Sequence, residues 1–182
     1  MQYKYSHQVE EDFIPDILRI DAGVFELAAQ GTYDSLLARY NANRESFILA
    51  YYNSRIVGYV AFFPITGGLS ERMINENKAF DDNIQAGDIL PSYTKDREFN
   101  LFLISIAVMP EYGGRGIGAE LMRKYFDFVS NKIQSGCSIK NTYSYAFTRA
   151  GERLLGKGGF LEVKAIQDKK MNSVIKLMKY EF

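Results

Sequence analysis

The run Val108-Met109-Pro110-Glu111-Tyr112-Gly113-Gly114-Arg115-Gly116-Ile117-Gly118 decides how this chain is read. It closes the most apolar stretch of the sequence, Phe99 to Met109 (FNLFLISIAVM), which reads as a strand buried on both faces. Pro110 ends that strand. Behind the glycines a helical period begins, with Leu121, Met122, Tyr125, Phe126, Val129 and Ile133 on one face and Gly136 closing it. The unit is therefore strand, glycine-rich turn, helix. A helix N-terminus offers unpaired N–H groups and the positive end of the macrodipole. Glycines let the backbone approach an anion with no Cβ in the way. Together they make a phosphate site. A bare strand-to-helix turn also uses glycine, but four glycines in the six positions 113–118 exceed what a turn needs.

The ligand class follows from what the turn lacks. A P-loop requires G-x-x-x-x-G-K-[ST], and no Lys-Ser or Lys-Thr follows here. Gly114, Gly116 and Ala119 do satisfy G-x-G-x-x-[GA], the dinucleotide fingerprint. That fingerprint belongs in a first βαβ unit directly after the strand. Here Pro110-Glu111-Tyr112 intervenes, and the next strand ends in Phe147-Thr148-Arg149, with no carboxylate for a ribose. The dinucleotide reading is the weaker one.

Working outward, Tyr3 to Val9 is expected as a first strand. A helix is expected from Pro15, a residue suited to a first turn, with Ile14, Ile17, Leu18 and Asp21 defining its face. Gly23 and Gly31 punctuate a loop. Thr32 can cap a second helix with Tyr33, Leu36, Leu37 and Tyr40 inward. Ser46 to Tyr52 and Arg55 to Phe63 read as a hairpin about Asn53-Ser54. Gly67 to Glu98 reads as a long insertion with one helix around Ser70 to Phe80, of the kind that often forms lids or binding loops. Ile139 to Phe147 is a further strand. Thr148 caps a short helix to about Lys157, Gly158-Gly159-Phe160 turns, and strands around Leu161 to Ile166 and Ser173 to Tyr180 finish the chain.

Composition bounds the function. The 182 residues carry 22 Lys plus Arg against 22 Asp plus Glu, so the basic excess of a nucleic-acid binder is missing. Apolar residues make up 47%, which argues against disorder and suits one sizeable core. Cys137 and His7 are the only residues of their types, which excludes an intrachain disulfide and a Cys/His metal cluster and all but excludes a Ser-His-Asp triad. MQYKYSHQVE has no apolar signal core, and no run approaches the ~20 apolar residues of a membrane span. A cytoplasmic protein with no membrane partner is expected.

The stretch from Val108 to Gly118, followed by Leu121, resembles the acetyl-CoA signature of the GNAT N-acetyltransferases, [QR]-x-x-G-x-[GA] after a core strand. Thr148 to Phe160 (TRAGERLLGKGGF) is similar to that family's short helix ending in a Gly-Phe pair. The resemblance is specific from about Phe99 to Phe160 and topological before that. It implies a single α/β domain over 1–182, with the insertion at about 67–98. Its mixed central sheet would have about six to seven strands flanked by about four helices. It implies acetyl-CoA as acyl donor, no metal, and direct attack of an amine on the thioester. The pantetheine arm would lie in a cleft opened in the sheet, along Ile106, Ala107 and Val108. The pyrophosphate would sit on the amides of Gly113, Gly114, Arg115, Gly116, Ile117, Gly118 and Ala119, with Thr148 opposite.

The chain departs from the pattern in places that matter. The first signature position is Gly113 instead of Gln or Arg, which removes side-chain support for the phosphates. Many members carry a Tyr in the last helix that protonates the departing thiolate; counting back from Gly159-Phe160, that position is Leu155. The family's neighbouring Asn and Ala positions are Thr148 and Gly151, and a core-strand carboxylate of some members falls at Phe102. An amine must lose a proton before attack, and the thiolate can need one on leaving. Glu98 is the base candidate, since it shares strand parity with Asn100 and Phe102, although a solvated strand-end charge is its blander reading. Tyr143 and Tyr145 are acid candidates, with packing as the alternative. Arg115 is a candidate phosphate contact.

Two functions compete: an N-acetyltransferase acting on a small-molecule or protein amine, and a catalytically silent acyl-CoA-binding module. Residues 1–98 carry a net −6 and residues 99–182 a net +6. The basic part holds the phosphate turn. The acidic part, including the insertion placed over the acceptor side, predicts a cationic acceptor. A homodimer is expected to cover the sheet edge left by the last strands.

Overall fold

The computed structural model describes residues 1–80, 84–168 and 172–182, with nothing said of the Ala28 side chain. Asp81 and Asp82 of the acidic count, and the turn of the last hairpin at 169–171, lie outside these residues. One mixed sheet organises the fold. Strands β1 (Gln2–Tyr5), β2 (Phe47–Tyr52), β3 (Arg55–Ile65) and β4 (Glu98–Val108) are successive antiparallel neighbours. Strand β5 (Ser138–Ala146) joins β4 in parallel. Strand β7 (Ser173–Glu181) runs antiparallel to β5, and β6 (Leu161–Asp168) forms the outer edge. Among the described residues five α-helices flank the sheet: α1 (Ile14–Val24), α2 (Tyr33–Ala42), α3 (Gly67–Asn75), α4 (Ile117–Gln134) and α5 (Arg149–Lys157).

Side-chain parity places the layers. Tyr59, Ala61 and Phe63 of β3 face α1, α2 and α3, while Phe62 faces α4, its ring 4.9 Å from Tyr125. Tyr125 is fully buried and shares a hydrogen bond with the Thr142 hydroxyl of β5. Each such buried apolar side chain stabilises the fold by about 1.5–3 kcal/mol. The β2–β3 turn has Asn53 at φ 48° and Ser54 at φ 62°, the two positive angles of a tight hairpin whose twist matches its strands. The cap by Thr32 is present, with its side chain accepting the Ser35 N–H at 3.2 Å.

Several elements differ from their sequence reading. The first strand stops at Tyr5 because Ser6 turns inward: its hydroxyl donates to the Arg44 carbonyl (2.7 Å) and accepts the Phe47 N–H (3.2 Å). Helix α3 starts at Gly67, three residues early, where the Thr66 hydroxyl accepts the Leu69 N–H. It ends early too, because Lys164 of β6 donates to the carbonyls of Ile74 (2.7 Å) and Glu76 (2.5 Å). Tyr33 points outward to Asp12, and Ile133 is 38% exposed near the C-terminal end of α4. The described residues of the 67–98 segment do not form a lid. Leu69, Met73, Phe80, Ile84 and Ile89 bury against Phe63, Phe102, Tyr143 and Tyr145, so they form a second core at one end of the sheet.

Candidate active site

Strands β4 and β5 pair only over their first halves, the last partners being Phe102 and Tyr143. The cause lies across the other edge of β4. Ala61 of β3 opposes Ser105, but Phe62 opposes Leu103, so Ile104 is one residue too many. A bulge of this kind bends its strand. Beyond it β4 parts from β5, and Ile104, Ser105, Ile106 and Val108 become half-buried, whereas Leu101, Phe102 and Leu103 are buried. Sequence reading had this strand buried along its full length; the departure is the opening itself.

A cavity of about 200 Å³ fills the opening. Residues 103–108 form one wall, Ser144, Tyr145, Phe147 and Thr148 the other, and Leu154 and Leu155 of α5 close it. Three of the residues expected along the pantetheine arm, Ile106, Ala107 and Val108, therefore line it, and so does Thr148. The Thr148 hydroxyl also accepts the Gly151 N–H at 3.0 Å and so caps α5.

The glycine turn adjoins the cavity wall: a Cβ on Gly118 would sit 3.7 Å from Leu154 and 4.0 Å from Val108, both of which line it. Gly114 (φ +73°) and Gly116 (φ +78°) hold left-handed conformations, and a Cβ on either would meet nothing within 4 Å. Their small size thus serves the space in front of the backbone. Gly113 differs, since a Cβ there would sit 3.0 Å from the Pro110 carbonyl oxygen. No side chain caps α4. Its first-turn amides, Ile117, Gly118 and Ala119, have no carbonyl four residues back within the helix. Arg115 folds back instead of reaching over the turn: its guanidinium lies 5.1 Å from the Tyr112 ring and donates to the Glu111 carbonyl at 3.3 Å.

The three acid–base candidates are not brought together. Tyr145 lines the cavity, its ring edge-on to Phe102 at 5.7 Å. Tyr143 is 4% exposed and packs in the second core, where burial raises its phenol pKa, Lys179 opposes the shift and Glu181 adds to it. Glu98 is paired with Lys140 at 2.6 Å, at the closed end of β4. It lies roughly 30 Å along the strand from Val108. Its parity was read correctly, but its position along the strand keeps it out of the opening. Leu155 is buried against the cavity and brings no proton.

A smaller cavity of about 70 Å³ adjoins the first and shares Phe25, Ile104, Ser105 and Phe147 with it. It holds the polar groups that sequence reading missed: Asp21 of α1, Arg39 of α2, Tyr59 of β3 and Ser105 of β4. The Tyr59 hydroxyl donates to Asp21 Oδ1 at 2.5 Å and lies 3.0 Å from Ser105 Oγ. Burial pushes the Asp21 carboxyl up to about 6, against the lowering effects of the Tyr59 hydrogen bond, the Gly31 N–H and the Arg39 charge. Burial, followed by the Asp21 charge, also holds the Tyr59 phenol well above its ordinary value. The available signal was a carboxylate on the apolar face of the first helix, where an unpaired charge is costly. Among the described residues of the 67–98 segment none lines either cavity, so Glu71, Glu76, Asp88, Asp96 and Glu98 do not surround an acceptor there. Among the described residues there is no cluster of three metal-ligating side chains, and no helix is long and apolar enough to cross a membrane.

Known proteins share this architecture. Ard1 from Thermoplasma volcanium is 14% identical, with a TM-score of 0.67 over 99% of this chain and 96% of that one. Naa50 of Arabidopsis thaliana, solved with the bisubstrate analogue CoA-Ac-MVNAL, is 15% identical, with a TM-score of 0.65 over 100% and 98%. The GNAT-like decarboxylase GphF, solved with isobutyryl-CoA, is 13% identical, with a TM-score of 0.69 over 100% and 99%. At such identities the likeness is one of fold alone. No curated protein matches the sequence. The sequence pattern of the Acetyltransferase (GNAT) family, however, matches residues 12–151, which include both walls of the opening and the whole glycine turn. By that match the chain belongs to the GNAT acetyltransferase family.

Proposed function

We propose that this protein transfers the acetyl group of acetyl-CoA to a primary amine, by direct attack and without an acyl-enzyme. The observation that carries the reading is that the uncapped, glycine-flanked start of α4 packs, through Gly118, against Val108 and Leu154 of the opened β4–β5 cavity. An extended thioester arm fits the first, and its pyrophosphate fits the second. The amides from Gly113 to Ala119 hold the phosphates. The half-buried edge of β4 at Ile106 to Val108 holds the arm. A cationic amine approaches Ser105 where the two cavities meet, drawn by the Asp21 carboxylate of the smaller one. Likeness to Naa50 in its CoA-peptide complex supports a peptide or small-molecule amine acceptor. Tyr145 is the proton donor to the leaving thiolate, because it is the one acid candidate that lines the cavity. The exposed Leu161 and Val163 on the outer strand β6 support a homodimer through that edge.

Leu155 favours a second reading, in which the protein binds acyl-CoA and does not turn it over. Thiol release separates the two. Acetyl-CoA incubated with a panel of polyamines, amino sugars and peptides should yield free CoA thiol in the presence of cationic amines. Tight binding of acetyl-CoA with no thiol from any amine selects the silent module instead.

A further inference from the structure

The acetyltransferase reading leaves the amine with no proton acceptor at the cavity, since Glu98 is held by Lys140 at the closed end of the sheet. We infer that Ser105, Tyr59 and Asp21 form a proton relay that accepts the amine's proton, with Ser105 touching the acceptor and Asp21 as the final base. This proposal rests on the acetyltransferase reading.

The geometry is a chain of oxygens leading out of the acyl cavity. Ser105 lines both cavities and is half-buried, so its hydroxyl is open to an amine at the point where they meet. Its Oγ is 3.0 Å from the Tyr59 hydroxyl, which donates to Asp21 Oδ1 at 2.5 Å. Tyr59 and Asp21 are 2% and 4% exposed, so they are shielded from bulk solvent and meet it only through the smaller cavity. A carboxylate held only for packing would end in a closed network; this one ends at a hydroxyl in the cavity. The charged and titratable groups facing Asp21 are Arg39 from α2 and Tyr59 from β3, with the Gly31 amide between the helices. They stabilise the ionised form, while burial opposes it, which leaves a carboxyl poised to ionise near neutral pH and accept a proton.

The proton count closes. An ammonium proton passes to Ser105 Oγ as the Ser105 proton passes to Tyr59 and the Tyr59 proton to Asp21. The freed lone pair forms the C–N bond to the thioester carbon. The C–S bond breaks with its electron pair on sulfur. Tyr145 protonates the sulfur as CoA thiol and is restored by the second nitrogen proton, and Asp21 returns its proton to solvent.

The experiment measures CoA-thiol release against pH for the wild type, Asp21→Asn and Tyr59→Phe, with acetyl-CoA binding and thermal unfolding measured for each. A relay predicts kcat lower by about 100-fold in either variant, in the range of a lost general base. The KM for acetyl-CoA should stay within about threefold, and Asp21→Asn should lose the acidic limb near pH 6. The double variant should be no worse than the poorer single one, because the groups act as a unit. If Asp21→Asn fails to fold, Tyr59→Phe and Ser105→Ala decide by the same profile. Variants that keep the wild-type kcat and pH profile overturn the relay and leave the acetyltransferase reading standing. A wild type that binds acetyl-CoA and releases thiol with no amine overturns both.

Discussion

Gly116→Ala isolates the phosphate site from the stability of the fold. Gly116 precedes α4 at φ +78°, and a Cβ there meets no atom within 4 Å. The free protein therefore suffers only the left-handed backbone cost, about 1–2 kcal/mol for an L-residue. In a domain of this length that lowers Tm by about 2–4 °C per kcal/mol. The methyl group enters the space in front of the α4 amides, where the pyrophosphate is proposed to bind. Loss of one charge-assisted hydrogen bond, about 2 kcal/mol, weakens binding by about 30-fold. At a ligand concentration 100 times the wild-type Kd, acetyl-CoA stabilises the wild type by about 2.7 kcal/mol. The same concentration should stabilise the variant by only about 0.9 kcal/mol. Thermal unfolding with and without acetyl-CoA reads both effects. Gly87→Ala is the control, since its Cβ also meets nothing and its φ is not positive. A Gly116→Ala protein that melts slightly earlier yet keeps the full acetyl-CoA shift would refute the placement of the phosphates on this turn.

Three more outcomes are expected. Asp21 binds a proton more tightly folded (about 6) than unfolded (3.8), so its contribution to stability is full below pH 4 and is lost as pH rises through 6. That loss is about 3 kcal/mol at 1.36 kcal/mol per pH unit, so Asp21→Asn should gain on the wild type in urea denaturation between pH 4 and 7, and parallel curves would refute the burial argument. Tyr145→Phe should lower kcat by about tenfold or more, while Tyr143→Phe, outside the cavity, should leave it within about twofold; the reverse order would exchange their roles. Lys164→Met should cost about 1 kcal/mol and speed amide exchange at the end of α3, because two carbonyls lose their donor.

The strand, glycine turn and helix from Phe99 to Gln134 were legible because periodicity and glycine spacing are local properties. So was the order of the later elements. The bulge at Ile104 was not, since in FNLFLISIAVM both faces are apolar and an extra residue leaves the pattern unchanged. The 67–98 segment misled because its Gly, Asn and Asp content resembles a loop. Leu69, Met73, Phe80, Ile84 and Ile89 are too widely spaced to announce a core, and only the fold gathers them. Asp21 was visible on its helix face, but Tyr59 and Ser105 lie 38 and 84 residues further on, and no local spacing links them. Glu98, chosen by strand parity, lies at the closed end of the sheet for the complementary reason: parity gives a side, not a height.

Ile104 has one more consequence. With the extra residue in place, Phe102 before it and Ser105 after it share the α1 face of the sheet. Deleting Ile104 would remove the bulge and leave Ser105 opposite Ala61 by simple alternation, still on the face of Tyr59, while letting β4 run on beside β5. Substituting Ile104 with another apolar residue would leave the bulge in place. The opening is thus written as a count, not as a choice of side chain. A feature stored that way survives drift in residue identity. It is also exposed to a kind of mutation that substitution scans never sample, the in-frame loss of a single codon.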